Sequence, residues 1–156
     1  METTKQVSVF LENKPGRLAN VLRALERQKI NITGMAVMDS QERSVLRLAT
    51  NDAAKTVAVL KEMGTSFTTT EVLLVELRNH PGALARLCET LAAEHINIEY
   101  CYISAGGRNG KTYGIFKVSS IDKAQRVLAG AGVNSTNKRR LEKRSLRDLR
   151  SYQTPR

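Results

Sequence analysis

The residues best placed to do chemistry in this chain come in two matching runs. Asn13-Lys14-Pro15-Gly16-Arg17-Leu18-Ala19 returns 66 positions later as Asn79-His80-Pro81-Gly82-Ala83-Leu84-Ala85. Each run leads through a helix-like stretch to a closing Ile-Asn-Ile, Ile30 to Ile32 and Ile96 to Ile98. Three properties converge at such an elbow. A helix start offers unpaired N–H groups and partial positive charge, which suit a carboxylate. Glycine has no Cβ, so backbone or ligand can come close at Gly16 and Gly82. The amides of Asn13 and Asn79 bring both a donor and an acceptor. A small zwitterion fits that combination, with its carboxylate on the helix start and its ammonium on side-chain and backbone oxygens. The competing reading is purely structural, because Asn, Pro and Gly are ordinary turn and helix-start residues.

Other chemistries find little support. The chain has only two histidines, His80 and His95, and neither has a sequence-evident Ser, Cys or carboxylate partner that would make a triad. No Cys-x-x-Cys or His-Glu-x-x-His appears, so neither a metal nor a cofactor is expected. Cys88 and Cys101 both fall in apolar patterns and read as buried free thiols of a cytoplasmic protein. There is no secretory-type start and no apolar run of the ~18 residues a membrane span needs, so no membrane partner is expected.

The net charge of +10 is uneven. From residue 138 onward eight Lys/Arg stand against Glu142 and Asp148, so the tail carries +6 and the rest +4. A solvated extension is the plain reading of that tail, although Leu141, Leu146 and Leu149 could line a short docking helix for an acidic partner. Nucleic acid is a weaker match. Base-stacking domains of similar element order need aromatics on their central strands, and residues 43–50 have none.

The elements that must position the elbows follow from periodicity. Val7, Val9 and Leu11 alternate with Ser8, Phe10 and Glu12 as in a strand with one buried face. Leu18, Val21, Leu22 and Leu25 make a helical stripe. Strands are expected at 30–38 and 43–50, a helix at 52–63 capped by Asn51, and a last strand at 67–70. The second copy repeats the order, with strands from 73, at 97–104 and at 113–118, and a helix at 121–128. Its fourth strand is weak or missing. The predicted class is α+β: two ferredoxin-like βαββαβ units, at 1–70 and 71–137, with a basic tail at 138–156. No turn dipeptide separates the units between 67 and 77, so they should be held in a fixed relation.

Asn-x-Pro-Gly-x-Leu-Ala, a helix and Ile-Asn-Ile on this element order resemble the ACT domain, a regulatory module of amino-acid metabolism. The resemblance covers residues 7–128 in tandem, without an enzyme domain. It implies a non-catalytic protein that binds an amino acid between ACT units, forms a homodimer and modulates a metabolic enzyme. It carries the ligand role to Asn13, Pro15, Gly16, Leu18, Asn31 and Ile32, and to Asn79, Pro81, Gly82, Leu84, Asn97 and Ile98. Some serine-binding members have a histidine two residues before the motif Asn; Leu11 and Leu77 stand there, against a serine-type site. Asp39, Glu99 and Arg108 are further polar candidates or plain solvated charges. The alternative function is a ligand-free scaffold for protein assembly, with the basic tail on an acidic partner.

Overall fold

The computed structural model describes residues 1–38, 43–104 and 111–132. Asp39, Arg108 and the basic tail lie outside them. The order is β1 (Glu2–Glu12), α1 (Arg17–Arg27), β2 (Ile32–Met38), β3 (Arg43–Thr50), α2 (Ala53–Glu62), β4 (Phe67–Arg78), α3 (Ala83–Ala93), β5 (Ile98–Ile103), β6 (Lys111–Val118) and α4 (Ile121–Gly130). The strands form one antiparallel sheet ordered β2-β3-β1-β4-β6-β5.

Two long strands at the centre do double duty. The second half of β1 pairs with β3, as the first strand of unit one must. Its first half lies against Thr70–Leu74 of β4, which in turn pairs with β6 from Leu73 onward. Residues 2–5 thereby occupy the place of the fourth strand that unit two lacks in sequence. Phe67 to Thr70 plays the same part for unit one beside Gln6 to Val9. With a repeat offset of 66, Lys5 and Glu71 are each other's counterparts (5 + 66 = 71), and they stand directly opposite. A pseudo-twofold axis therefore passes between them.

Each unit buries its own helical layer. Val21 and Leu25 of α1, with Val59 and Leu60 of α2, close over Val7, Val9, Leu46 and Leu48. Their counterparts Leu87 and Leu91 of α3, with Ala124 and Leu128 of α4, close over Leu73, Val75 and Phe116. A fully buried Leu contributes about 1.5–3 kcal/mol, so these stripes hold the helices whose starts form the elbows.

The other face of the sheet departs from a half-buried reading. Gln6 is fully buried and Ser8 nearly so, although both belong to the polar side of β1. The sheet curls until the edge strands β2 and β5 come within 8 Å, Cα to Cα. Ala49, Val72, Leu74 and Ile115 pack inside that curl with Tyr102 and Tyr113. Gly34 on β2 is needed there, since a Cβ would lie 2.6 Å from Ile115 Cδ1.

Three local expectations are corrected. Asp52, not Asn51, caps α2, its carboxylate accepting from Lys55 N–H at 2.9 Å. The Asn51 side chain instead accepts from Asn31 N–H, also at 2.9 Å. Cys101 is exposed and Cys88 only half-buried. Cys101 stands opposite Phe116 on the helical side of the edge strand β5.

Candidate functional site

At both elbows the backbone explains Pro-Gly. Arg17 N–H donates to the Lys14 carbonyl at 3.3 Å, and Ala83 N–H to the His80 carbonyl at 3.2 Å. Gly16 has φ 85°, ψ −17°, and Gly82 has φ 82°, ψ −6°. Those are the third-position angles of a type II turn, whose second position favours Pro and whose third requires positive φ. Pro15 and Pro81 accordingly precede the helix cap and do not enter its first turn. Glycine is itself the N-cap, so the cap residue has no side chain to offer the first N–H groups of α1 or α3.

Asn13, Pro15 and Gly16 are exposed with Leu18 half-buried beneath them; Asn79, Pro81, Gly82 and Leu84 are all exposed. Leu11 and Leu77, just before the motifs, are core residues. The second part of each predicted site lies elsewhere. Glu12 is level with Arg43 and Ile32 with Thr50. Seven residues of strand, roughly 23 Å at ~3.3 Å per residue, therefore separate an elbow from the Asn-Ile of its own unit. Asn31 and Asn97 are fixed by their backbones. Asn31 N–H and C=O are taken by Asn51, and those of Asn97 by Ser119, at 2.9–3.1 Å. Ile32 and Ile98 pack into the helical cores. The elbows also stand apart from each other. Glu12 is level with position 64 of the antiparallel partner, fourteen residues short of Arg78, at most ~45 Å along the sheet.

The elbows differ in charge. At the first, Glu12 accepts from Arg17 at 2.7 Å and pairs with Lys14 at 3.2 Å. Those bonds, Arg17 first, hold its carboxyl below the usual glutamate range. At the second, the counterpart of Glu12 is Arg78 and that of Asn20 is Arg86. Arg86 Nη2 lies 3.3 Å from both ring nitrogens of His80, whose Nδ1–H donates to Pro81 C=O at 2.9 Å. Among the described residues neither Arg78 nor Arg86 has an ion-pair partner.

His95, at φ 54°, ends α3 in the left-handed region as Lys29 ends α1, which makes it a helix-terminal residue. Glu99 is exposed. Among the described residues no group could hold a metal ion, and no helix is long and apolar enough to cross a membrane. One constellation escaped sequence reading: Gln6, Ser8, Arg47, Tyr100 and Tyr102, gathered on the inner face of the curl. Its only signal in the sequence is Tyr100-x-Tyr102, a spacing that puts both rings on one side of a strand.

Residues 2–144 match the ACT domain pair, and the chain belongs to that family. No protein of curated function matches it. A crystal structure of a protein from Bacteroides thetaiotaomicron is 32% identical, with a TM-score of 0.76 over 83% of this chain and 88% of that one. The ligand-free regulatory subunit of aspartate kinase from Thermus thermophilus shares the fold at 15% identity, TM-score 0.60, over 84% and 97% of the two chains. Its counterpart from Thermus flavus does so at 15% and 0.54, over 83% and 95%. The α+β class and the tandem ACT architecture thus stand.

Proposed function

We propose that this protein senses an amino acid at its elbows and modulates a metabolic enzyme in the cytoplasm. The observation that carries the reading is the duplicated elbow itself. On a chain of the ACT pair family, both copies open a helix with a bare glycine cap beside an exposed asparagine. The ligand's carboxylate would take the N–H groups around Leu18 or Leu84, and Asn13 or Asn79 would bind its ammonium. Asn31, Ile32, Asn97 and Ile98 lie too far from either elbow to join it within one chain. A site that uses both parts needs a second copy, and the functional unit is accordingly a homodimer. Binding would favour one packing of the copies over another. Micromolar to millimolar affinity, about −8 to −4 kcal/mol, would suffice for a sensor of intracellular amino acids.

The test is a thermal-shift screen of the twenty amino acids, repeated with Asn13→Ala and Asn79→Ala, alongside sedimentation of the free and bound protein. A ligand at one hundred times its dissociation constant adds about 2.7 kcal/mol of stability. One chemical group of amino acids should raise the melting point, and an elbow substitution should abolish the rise. If no amino acid does so, the elbows are turns of an assembly scaffold.

A further inference from the structure

The inner face of the curled sheet is where the two halves differ most. Gln6 and Ser8 on β1 and Arg47 on β3 face Tyr100 and Tyr102 on β5. The pseudo-twofold counterparts of Gln6 and Tyr100 are Val72 and Gly34, with the same offset of 66. Among the described residues the polar cluster therefore exists once.

Gln6 knits it together. The amide donates to Ser8 Oγ at 3.1 Å and to Tyr100 Oη at 3.0 Å, and accepts from the Tyr102 hydroxyl at 3.0 Å. The amide and three hydroxyls own five protons (2 + 3), and these three bonds consume three of them. Two protons remain, whichever way round the amide sits. Arg47 adds more donors: its guanidinium lies 3.5 Å over the Tyr100 ring, and its buried Nε has no hydrogen-bond partner. Arg47 has no carboxylate partner among the described residues. Burial holds the Tyr102 hydroxyl protonated well above the usual tyrosine range, so it stays a donor. The cluster thus has a surplus of donors, a fixed positive charge and no anion of its own. Buried donors without partners are rare in folded proteins, and a guanidinium beside phenols is best satisfied by an oxyanion. Arg47, Tyr100 and the adjoining Ala36 are only half-buried, so solvent reaches the cluster.

We propose that this cluster is a second binding site, for a small oxyanion of the carboxylate type, with Arg47 as its charge and Tyr100 as its phenolic donor. It lies within one chain, between the first unit's β1 and β3 and the second unit's β5, and is independent of the elbows. An anion bound there would fasten β5 across unit one, so occupancy would tighten the contact between the halves.

The experiment titrates the full chain with sodium acetate and, separately, inorganic phosphate, at ionic strength held by chloride. The readouts are the Arg47 Nε–Hε resonance, assigned by its loss in Arg47→Lys, and tyrosine near-ultraviolet circular dichroism. The expected result is a saturable shift of that resonance with acetate. Followed by tyrosine dichroism, Arg47→Met should weaken acetate binding by at least about tenfold and Tyr100→Phe by less, while Asn13→Ala and Asn79→Ala leave it unchanged. Should the Met variant fail to fold, Arg47→Lys replaces it, with intermediate weakening expected by dichroism. Saturation by phosphate alone would overturn the carboxylate assignment. An Arg47 signal and a dichroism spectrum indifferent to both anions at tens of millimolar would overturn the site itself.

Discussion

The two elbows have one backbone and two electrostatic characters. Both are type II turns opening a helix at glycine, at φ 85° and 82°. At the first, Glu12 occupies Arg17 and Lys14. At the second, Arg replaces that glutamate and Arg86 lies on His80, with no carboxylate partner among the described residues. The geometry, which packing requires, was kept in both copies while the charges diverged. Shape alone therefore does not make the copies equivalent: among the described residues the second elbow's cations have no ion-pair partner, and the first satisfies its cations internally.

The largest expected effects test whether the halves are mechanically equal. Leu25→Ala and Leu91→Ala remove counterpart residues that are 1% and 0% exposed. Each should cost about 2–5 kcal/mol, in a single urea transition, since β1 and β4 belong to both units. Two separate transitions would break the view of one cooperative sheet.

Next come the caps. Gly16→Ala and Gly82→Ala place a Cβ at positive φ and should each cost about 1–2 kcal/mol by denaturant midpoint. At Gly82 the new Cβ would meet Arg86 Nη1 at 3.4 Å, an ordinary contact, so the cost at both elbows is that of the backbone angle alone.

Charge exchange sharpens the contrast with little effect on folding. Glu12→Gln frees Arg17 and Lys14, and Arg86→Ala removes a cation from the second elbow. In amino-acid thermal-shift titrations, the first should strengthen the response assigned to elbow one and the second weaken that of elbow two. Equal responses in all proteins would mean that these charges play no part in recognition.

The smallest effect is on pH. The folded-state pKa of Glu12 is lowered, so its contribution is present above the ordinary glutamate value and is lost as pH falls through the lowered one. Melting in the acid range should be slightly less pH-dependent in Glu12→Gln than in the parent. No counterpart carboxylate exists at Arg78.

Much of this architecture was legible because periodicity and duplication are local. The stripe Val21 and Leu25, repeated as Leu87 and Leu91, marked the helices, and their buried positions agree. The absence of a turn between residues 67 and 77 marked the continuous β4. Reading Ser8 as solvent-facing failed because alternation reports only that the two faces differ, while the curl of the sheet decided that both are buried. The elbow residues could be named from their motif, but not their separation from Asn31 and Asn97, which is set by the direction in which β2 runs beside β3.

The sequence by itself determined the repeat, the order of its elements and the turn chemistry of each elbow, since all depend on neighbours along the chain. Only the tertiary structure decided that residues 2–5 take the fourth-strand place beside unit two's first strand. It alone brought Gln6 within 3.0 Å of tyrosines 94 and 96 positions away. Those outcomes depend on strand register and sheet curvature, which arise when distant segments pair and which no local pattern encodes.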